Sequence, residues 1–302
     1  MDKAQIILNP YAGRWKARSA IPKIEQVCRK IGLDYELAVT EGPDHGIELA
    51  REATLAGFSP IVSAGGDGSI NEVVNGLMQA AGSDLVGPLG IIPLGSADDF
   101  SDMLGLDKTV EAACRTILAG HTRVIDVGCV NGRYFDNNSA IGLEPLVTIT
   151  ERAMKRLKGT PRYVLAAIKT VFNHKPWRVK ITWDEGEYEG WSALVSVGNT
   201  RRTGGAFWMT PRAEFDDGYL DFVFATQKLG RFRLLRLLPT ALQGSHIDQP
   251  VVAYHRTTRL TIECDPPTPI QTDGELIELS ATRAEYTILP GRLRVIVPVG
   301  RQ

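Results

Sequence analysis

The run Ile61-Val62-Ser63-Ala64-Gly65-Gly66-Asp67-Gly68-Ser69-Ile70-Asn71-Glu72 sets one aspartate among three glycines, between an apolar strand and the start of a helix. That pattern suits phosphate chemistry. Glycines allow backbone N–H groups to approach an anion without side chains in the way. The helix start adds further N–H donors and the positive end of its dipole. Ser69 reads as the N-cap and Glu72, three residues on, as its capping-box partner, with Val73 to Met78 continuing the helix. Asp67 then stands in the loop where it can bind or orient a divalent cation shared with the phosphates, or its water.

The design recurs. Leu89-Gly90-Ile91-Ile92-Pro93-Leu94-Gly95-Ser96-Ala97-Asp98-Asp99-Phe100 is a second apolar strand, glycine turn and serine N-cap, with Asp99 at the third helical position. A weaker copy opens the chain, where Gln5-Ile6-Ile7-Leu8 runs into Asn9-Pro10-Tyr11-Ala12-Gly13 and a basic helix from about Lys16 to Lys30. Three such junctions put polar loops at the carboxyl ends of parallel strands, the edge where open α/β sheets bind ligands. No Walker A lysine is present, so the glycine loops must serve in its place.

Taken in order, these three motifs resemble the signatures of the diacylglycerol kinase catalytic domain. Bacterial soluble lipid kinases are the nearest match; sphingosine and ceramide kinases share the pattern, and NAD kinases and phosphofructokinases share it more remotely. Ser196-Val197-Gly198-Asn199, Gly204-Gly205, Pro211, Asp217-Gly218-Tyr219-Leu220 and Thr272-Asp273-Gly274-Glu275 extend the resemblance over nearly the whole chain. It implies an α/β nucleotide-binding domain with an open parallel sheet, followed by a β-rich sandwich domain. It also implies an active-site cleft between the two and a C-terminal segment returning to the first.

The resemblance further implies an ATP- and Mg²⁺-dependent kinase that phosphorylates a lipid hydroxyl, of diacylglycerol or a related lipid, at the inner membrane surface. Its nucleotide contacts carry over onto Asn9, Pro10, Tyr11, Ala12, Gly13, Thr40, Gly65, Gly66, Asp67, Gly68, Ser69, Ile70, Asn71, Glu72 and Ser96. Asp273 and Glu275 match the proton-acceptor motif; which of them is the base is left open by sequence, with Asp273 taken first. A structural Mg²⁺ carries over onto Asp217 with the carbonyls of Tyr219 and Glu214. One departure stands out: Asp98 replaces the usual asparagine, adding a charge beside a polyanion. That residue keeps two alternatives in view, a nucleotide- or lipid-binding homologue with little kinase activity and a kinase for a soluble alcohol.

The elements around these motifs read as two domains. Residues 1–127 alternate strand and helix; residues 128–302 carry strands joined by turns, at Val179 to Trp183, Trp191 to Val197, Tyr219 to Ala225, Arg259 to Glu263 and Leu293 to Val297. Four cysteines without a Cys-x-x-Cys pair argue against a zinc module or disulfide framework, and for a reducing, cytoplasmic setting. A net charge of -1 gives no global attraction to nucleic acid, and no nucleic-acid partner is expected. Charge is instead local. Arg152, Lys155, Arg156, Lys158, Arg162, Lys169, Lys175, Arg178 and Lys180 follow one another without an acidic residue, and Arg231 to Leu238 is a second basic, leucine-rich segment. Either suits a peripheral contact with anionic lipid, or simply a solvated helix face. Homodimerisation is left open.

Overall fold

A computed structural model describes residues 2–154, 160–173 and 175–300. The chain divides into two units, Met1–Asp126 with Gly291–Gln302, and Val127–Pro290. The first unit holds β1 (Ala4–Leu8), α1 (Ala12–Ile31), β2 (Tyr35–Val39), α2 (His45–Leu55), β3 (Ile61–Gly65), α3 (Asp67–Ala81), β4 (Val86–Pro93), α4 (Asp99–Met103) and α5 (Val110–Ala119). The second holds most of β5 (Thr122–Val130), then β6 (Arg133–Phe135), β7 (Asn138–Gly142), α6 (Leu143–Ala153), α7 (Thr160–Asn173), β8 (Trp177–Trp183), β9 (Gly186–Ser192) and β10 (Leu194–Gly198). It continues with β11 (Leu220–Ala225), α8 (Arg231–Ala241), β12 (Val252–Thr257), β13 (Arg259–Thr272) and the greater part of β14 (Glu275–Ile296).

In the first unit β2, β1, β3 and β4 lie side by side and parallel. The last residues of β14 add a fifth parallel strand, Leu293 opposite Val86 and Val295 opposite Leu89. β1 and β3 are buried at every position, as strands covered on both faces must be. Ile6, Leu8, Val62 and Ile92 pack against Ile24, Val27 and Cys28 of α1 and Cys114 and Ile117 of α5. α2 and α3 come together closely at Gly76, where a Cβ would lie 2.4 Å from the Ile47 carbonyl oxygen and 2.6 Å from the Ala50 Cβ. α1 begins at Ala12, a full turn before the expected Lys16, because the chain leaves Asn9 directly into helical backbone at Tyr11.

The second unit is a β-sandwich. β12, β11, β10, β7 and the end of β13 form one antiparallel sheet. The first half of β13 pairs instead with β8, from Leu260 opposite Trp183 to Asp265 opposite Arg178. Register shifts between Glu263 and Gln271 bend the strand from one sheet into the other. Trp177, Val179 and Ile181 of β8 alternate with exposed Arg178 and Lys180 and meet Phe222 and Phe224 of β11 in the shared core. The opposite face of β11 is covered by helices, with Ala225 against Leu143, Val171 and Leu234. The strand expected from Trp191 to Val197 is interrupted at Ala193. There the Ser192 hydroxyl donates to the Leu194 carbonyl at 2.7 Å and accepts from the Ala225 N–H at 3.2 Å, replacing ladder bonds.

Gly76→Ala tests the close helix approach. In an open helix the change would add about 1 kcal/mol of propensity; here the clash with backbone outweighs it, and urea unfolding should show a net loss of about 1–3 kcal/mol.

Candidate active site

Three loops meet at the carboxyl edge of the parallel sheet, after β1, β3 and β4. Their contact requires glycine. A Cβ on Gly13, whose φ is +55°, would lie 2.5 Å from the Leu94 carbonyl oxygen, and one on Gly95 would lie 2.6 Å from the Gly66 Cα. Asn9 ties the first loop to the second, donating from Nδ2 to the Ser69 hydroxyl at 3.1 Å while its Oδ1 accepts from the Tyr11 N–H at 3.0 Å. Thr40, buried at the end of β2, donates its N–H to the Leu8 carbonyl at 2.9 Å. The edge therefore gathers Asn9 to Gly13, Thr40, Gly65 to Ile70 and Ser96 on neighbouring strand ends.

The caps differ from expectation. α3 starts at Asp67 with Gly66 as N-cap, so Ser69 sits inside the first turn. Glu72 turns away to α2, accepting from the Asp44 N–H at 3.0 Å and the Gly46 N–H at 2.9 Å. α2 needs those acceptors because its own N-cap, Asp44, is left-handed at φ 62° and makes no side-chain cap. α4 likewise begins at Asp99, with Asp98 rather than Ser96 as N-cap.

Asp98 adopts φ 53°, a region where Asp and Asn are tolerated better than most residues. Its Oδ1 accepts from the Gly95 N–H at 2.9 Å, closing the β4–α4 turn. An asparagine Oδ1 could make the same bond, so the unusual aspartate satisfies the local geometry. Burial pushes the Asp98 carboxyl up to about 6, against the pull of Lys108 and the Gly95 N–H. Asp67 accepts from the Phe100 N–H at 3.1 Å. Burial first and the Asp99 carboxylate second push it up to about 7. Crowded carboxylates are relieved by a divalent cation; no three such side chains converge on a metal here among the described residues, so a Mg²⁺ at Asp67 would draw most of its oxygen ligands from phosphates and water.

In the second unit Asp273 and Gly274, at φ 48° and 80°, form the two-residue turn between β13 and β14. The Asp273 carboxylate accepts three backbone N–H groups, from Asp136 at 3.2 Å, Asn137 at 3.1 Å and Asn138 at 2.7 Å. Glu275 is more open: its Oε2 pairs with Arg152 at 2.6 Å, and Arg152 also donates to the Gly274 carbonyl at 3.0 Å. Behind the turn lies Glu144, to which the sequence motifs assign no role. It is buried, and its Oε1 accepts from Asn138 at 2.8 Å, Gln271 at 3.1 Å and Thr203 at 3.3 Å. Gln271 in turn accepts from the Gly274 N–H at 2.7 Å. Burial raises the Glu144 carboxyl to about 7 despite these donors. Its place in the first turn after Gly142, as the one charged residue among the buried Leu143, Pro145, Val147 and Thr148, is the sequence signal that points to it.

Asp217 closes its own turn, accepting from the Tyr219 N–H at 3.0 Å, and pairs with Arg256, whose guanidinium also lies 4.6 Å over the Tyr219 ring. Glu214 pairs with Arg201 at 3.8 Å. Fully buried Asp221, on the strand that follows, lies 3.9 Å from the Arg256 Nε and beside the Tyr254 hydroxyl; burial pushes its carboxyl up to about 6 against the pull of both, with Asp217 and Glu214 adding to the shift. Among the described residues no three His, Cys, Asp or Glu side chains converge to hold a metal alone, so a Mg²⁺ here would need carbonyl and water ligands, as that ion commonly has.

An α/β unit with parallel strands followed by a β-sandwich is the architecture of a two-domain kinase class. Residues 3–130 match the diacylglycerol kinase catalytic domain, and residues 138–297 match the YegS C-terminal NAD kinase beta sandwich-like domain. A diacylglycerol kinase of Bacillus subtilis (strain 168) is 31% identical over 99% of this chain and 97% of its own length. A Chromohalobacter salexigens protein assigned as a YegS-like lipid kinase is 33% identical over 94% of this chain and 89% of its own. A crystal structure of a candidate diacylglycerol kinase from Bacillus anthracis str. Sterne superposes with a TM-score of 0.80, at 27% identity, over 99% of this chain and 98% of that one. The chain belongs to the diacylglycerol kinase and YegS-like family of lipid kinases.

The Glu144 network has a pH signature. A carboxyl raised from its ordinary value of 4.5 to about 7 binds its proton more tightly folded than unfolded, so its contribution favours folding at low pH and is lost as pH rises from about 4.5 through 7. Glu144→Gln keeps the Oε1 acceptor and removes the titration. Denaturant melts across that range should show the variant's pH slope flatter than the parent's, by up to about 3 kcal/mol in all.

Proposed function

We propose that the protein transfers the γ-phosphate of ATP, with Mg²⁺, to the hydroxyl of diacylglycerol or a closely related lipid, working as a cytoplasmic enzyme at a membrane surface. The observation that carries this reading is the glycine-to-glycine contact of the two phosphate-type loops with Asp67 between them. The full-length similarity to proteins named as diacylglycerol kinases supports the acceptor class. The aspartate at position 98 is no obstacle, because it serves as a turn acceptor to Gly95.

In this reading the backbone N–H groups at the start of α3 face the nucleotide phosphates, while Asn9 and Thr40 hold the neighbouring loops in place. Asp67, kept partly protonated near neutral pH by burial and Asp99, would have to give up that proton to hold a cation. Mg²⁺, when bound, neutralises charge on the transferring phosphoryl group; Asp67 would hold it there, and Asp217 with the Tyr219 and Glu214 carbonyls would hold a structural ion.

For the acceptor hydroxyl we assign Glu275 as proton acceptor and Asp273 as the positioning residue, the reverse of the order taken from sequence. Both Asp273 oxygens are occupied by backbone donors, and taking a proton would break bonds that shape Asp136 to Asn138. Glu275 keeps one oxygen for a proton, and Arg152 fixes the other.

Asp67→Asn should leave the melting curve near the parent's and lower kcat/KM at least about a thousandfold, roughly 4 kcal/mol of lost transition-state stabilisation, in a coupled ATP and diacylglycerol assay. Near-normal turnover in a folded variant would remove Asp67 from the site. Glu275→Gln should lower kcat at least about a hundredfold with ATP affinity unchanged, whereas Asp273→Ala should lower Tm as well, having stripped three N–H groups of their acceptor. A Glu275→Gln enzyme of normal kcat would return the base to Asp273.

A further inference from the structure

From Phe222 to Ile247 the sequence contains no acidic residue, yet it carries Lys228, Arg231, Arg233 and Arg236. Three of these lie on α8, whose two sides are sharply different. Leu234 and Ala241 are buried and Leu237 and Leu238 partly so, facing the helix layer over β11. The opposite side is centred on Phe232, which is 80% exposed, more than any other large apolar side chain among the described residues. Arg236 follows it one turn on and Pro239 two turns on, with Arg231 and Arg233 on the flanks. None of the three arginines forms an ion pair with a carboxylate among the described residues.

The other basic stretch is already engaged in part. Arg152 pairs with Glu275, Arg162 with Glu151 and Arg178 with Glu189; Lys155, Arg156 and Lys158 lie outside the described residues. α7, which rests on the same apolar clusters as α8 through Ala166, Ala167 and Val171, adds exposed Leu165 and Phe172 with Lys169 between them. Exposed rings flanked by unneutralised arginines match the chemistry of a bilayer interface, where an apolar group enters the acyl boundary and cations meet phosphates. An acidic protein surface would satisfy the arginines but offers Phe232 less.

We propose that α8 is the membrane-docking helix, lying along an anionic bilayer with Phe232 inserted and Arg231, Arg233 and Arg236 on lipid phosphates. This deepens the lipid-kinase reading and rests on it for the choice of a bilayer as partner. The test is co-sedimentation of the full chain with vesicles of equimolar phosphatidylglycerol and phosphatidylcholine, against pure phosphatidylcholine. Binding should favour the anionic vesicles and weaken as NaCl is raised. Arg233→Glu with Arg236→Glu should weaken it roughly thirtyfold or more, from about fivefold per charge removed, and Phe232→Ser should weaken it on its own.

Phe232→Trp supplies a second measurement, a new emission blue-shifted and quenched by brominated lipid when vesicles are added. Unchanged binding after charge reversal, an introduced indole whose emission stays unquenched, or a dimer that buries Phe232 and dissociates on Phe232→Ser without altering vesicle binding each overturns the proposal. Transfer to dioctanoylglycerol in detergent micelles, expected to be equal in parent and charge-reversed protein, tests the kinase reading separately. Its absence in the parent would sink that reading, while the vesicle data would still decide the docking helix.

Discussion

Gly66 and Gly95 approach so closely that their loops interlock at the level of bare backbone. Everything at the carboxyl edge depends on that contact. It brings Asp67 beside the start of α4, where the Phe100 N–H reaches its carboxylate, and it lets Asp98 fold back onto Gly95. A side chain at either glycine would push the two strand ends apart and separate the groups that crowd Asp67. The parallel sheet beneath sets the spacing, since β3 and β4 pair in register up to Gly65 and Pro93 and hold the loops at a fixed separation. Glycine here gives up backbone entropy in exchange for proximity that no other residue allows.

Each unit also keeps a carboxyl group raised to about 7, Asp67 in the first and Glu144 in the second, and in both burial is the main cause. Their surroundings differ. Asp67 is pressed by other carboxylates, an unfavourable arrangement that a cation would relieve. Glu144 is surrounded by donors, Asn138, Gln271 and Thr203, and acts as the hub linking the Asp273 turn to α6. The first is a crowded acidic corner; the second is a clamp that fixes the Asp273 turn. Raised pKa values alone do not separate these roles, and the partners do.

Much of the fold is legible in the sequence because its signals are local. Apolar runs ending in glycine mark β3 and β4, and the Asp-Gly pair at 273 and 274 marks a hairpin. The caps are not legible in the same way. Ser69 and Glu72 have capping-box spacing, but the box competes with the unmet N–H groups of α2, and Glu72 serves those instead. Likewise, Asp98 looks like a misplaced charge because its acceptor role depends on a left-handed backbone that the sequence does not display. Glu144 escapes a reading by motif because its donors come from residues 6 to 127 positions away, contacts that only the folded sandwich creates. Long-range pairing, rather than residue type, gives these groups their meaning.

β14 begins at the Asp273 turn and ends as the fifth parallel strand of the first unit, its final residues lying alongside β4. The Asp126 carboxylate anchors this return by accepting the Gly291 N–H at 2.7 Å, and Arg292 reaches the carbonyls of Gly82 and Asp84. A ribosome delivers the two ends of that sheet at opposite times. The first strands emerge early, with one side of β4 left open, and the strand that covers it arrives only after the sandwich unit has been made. During synthesis the sandwich unit can close its own core while the first unit still lacks an edge. The unit made first is thus the last to be finished, and a prematurely terminated chain carries an exposed strand in place of a completed sheet.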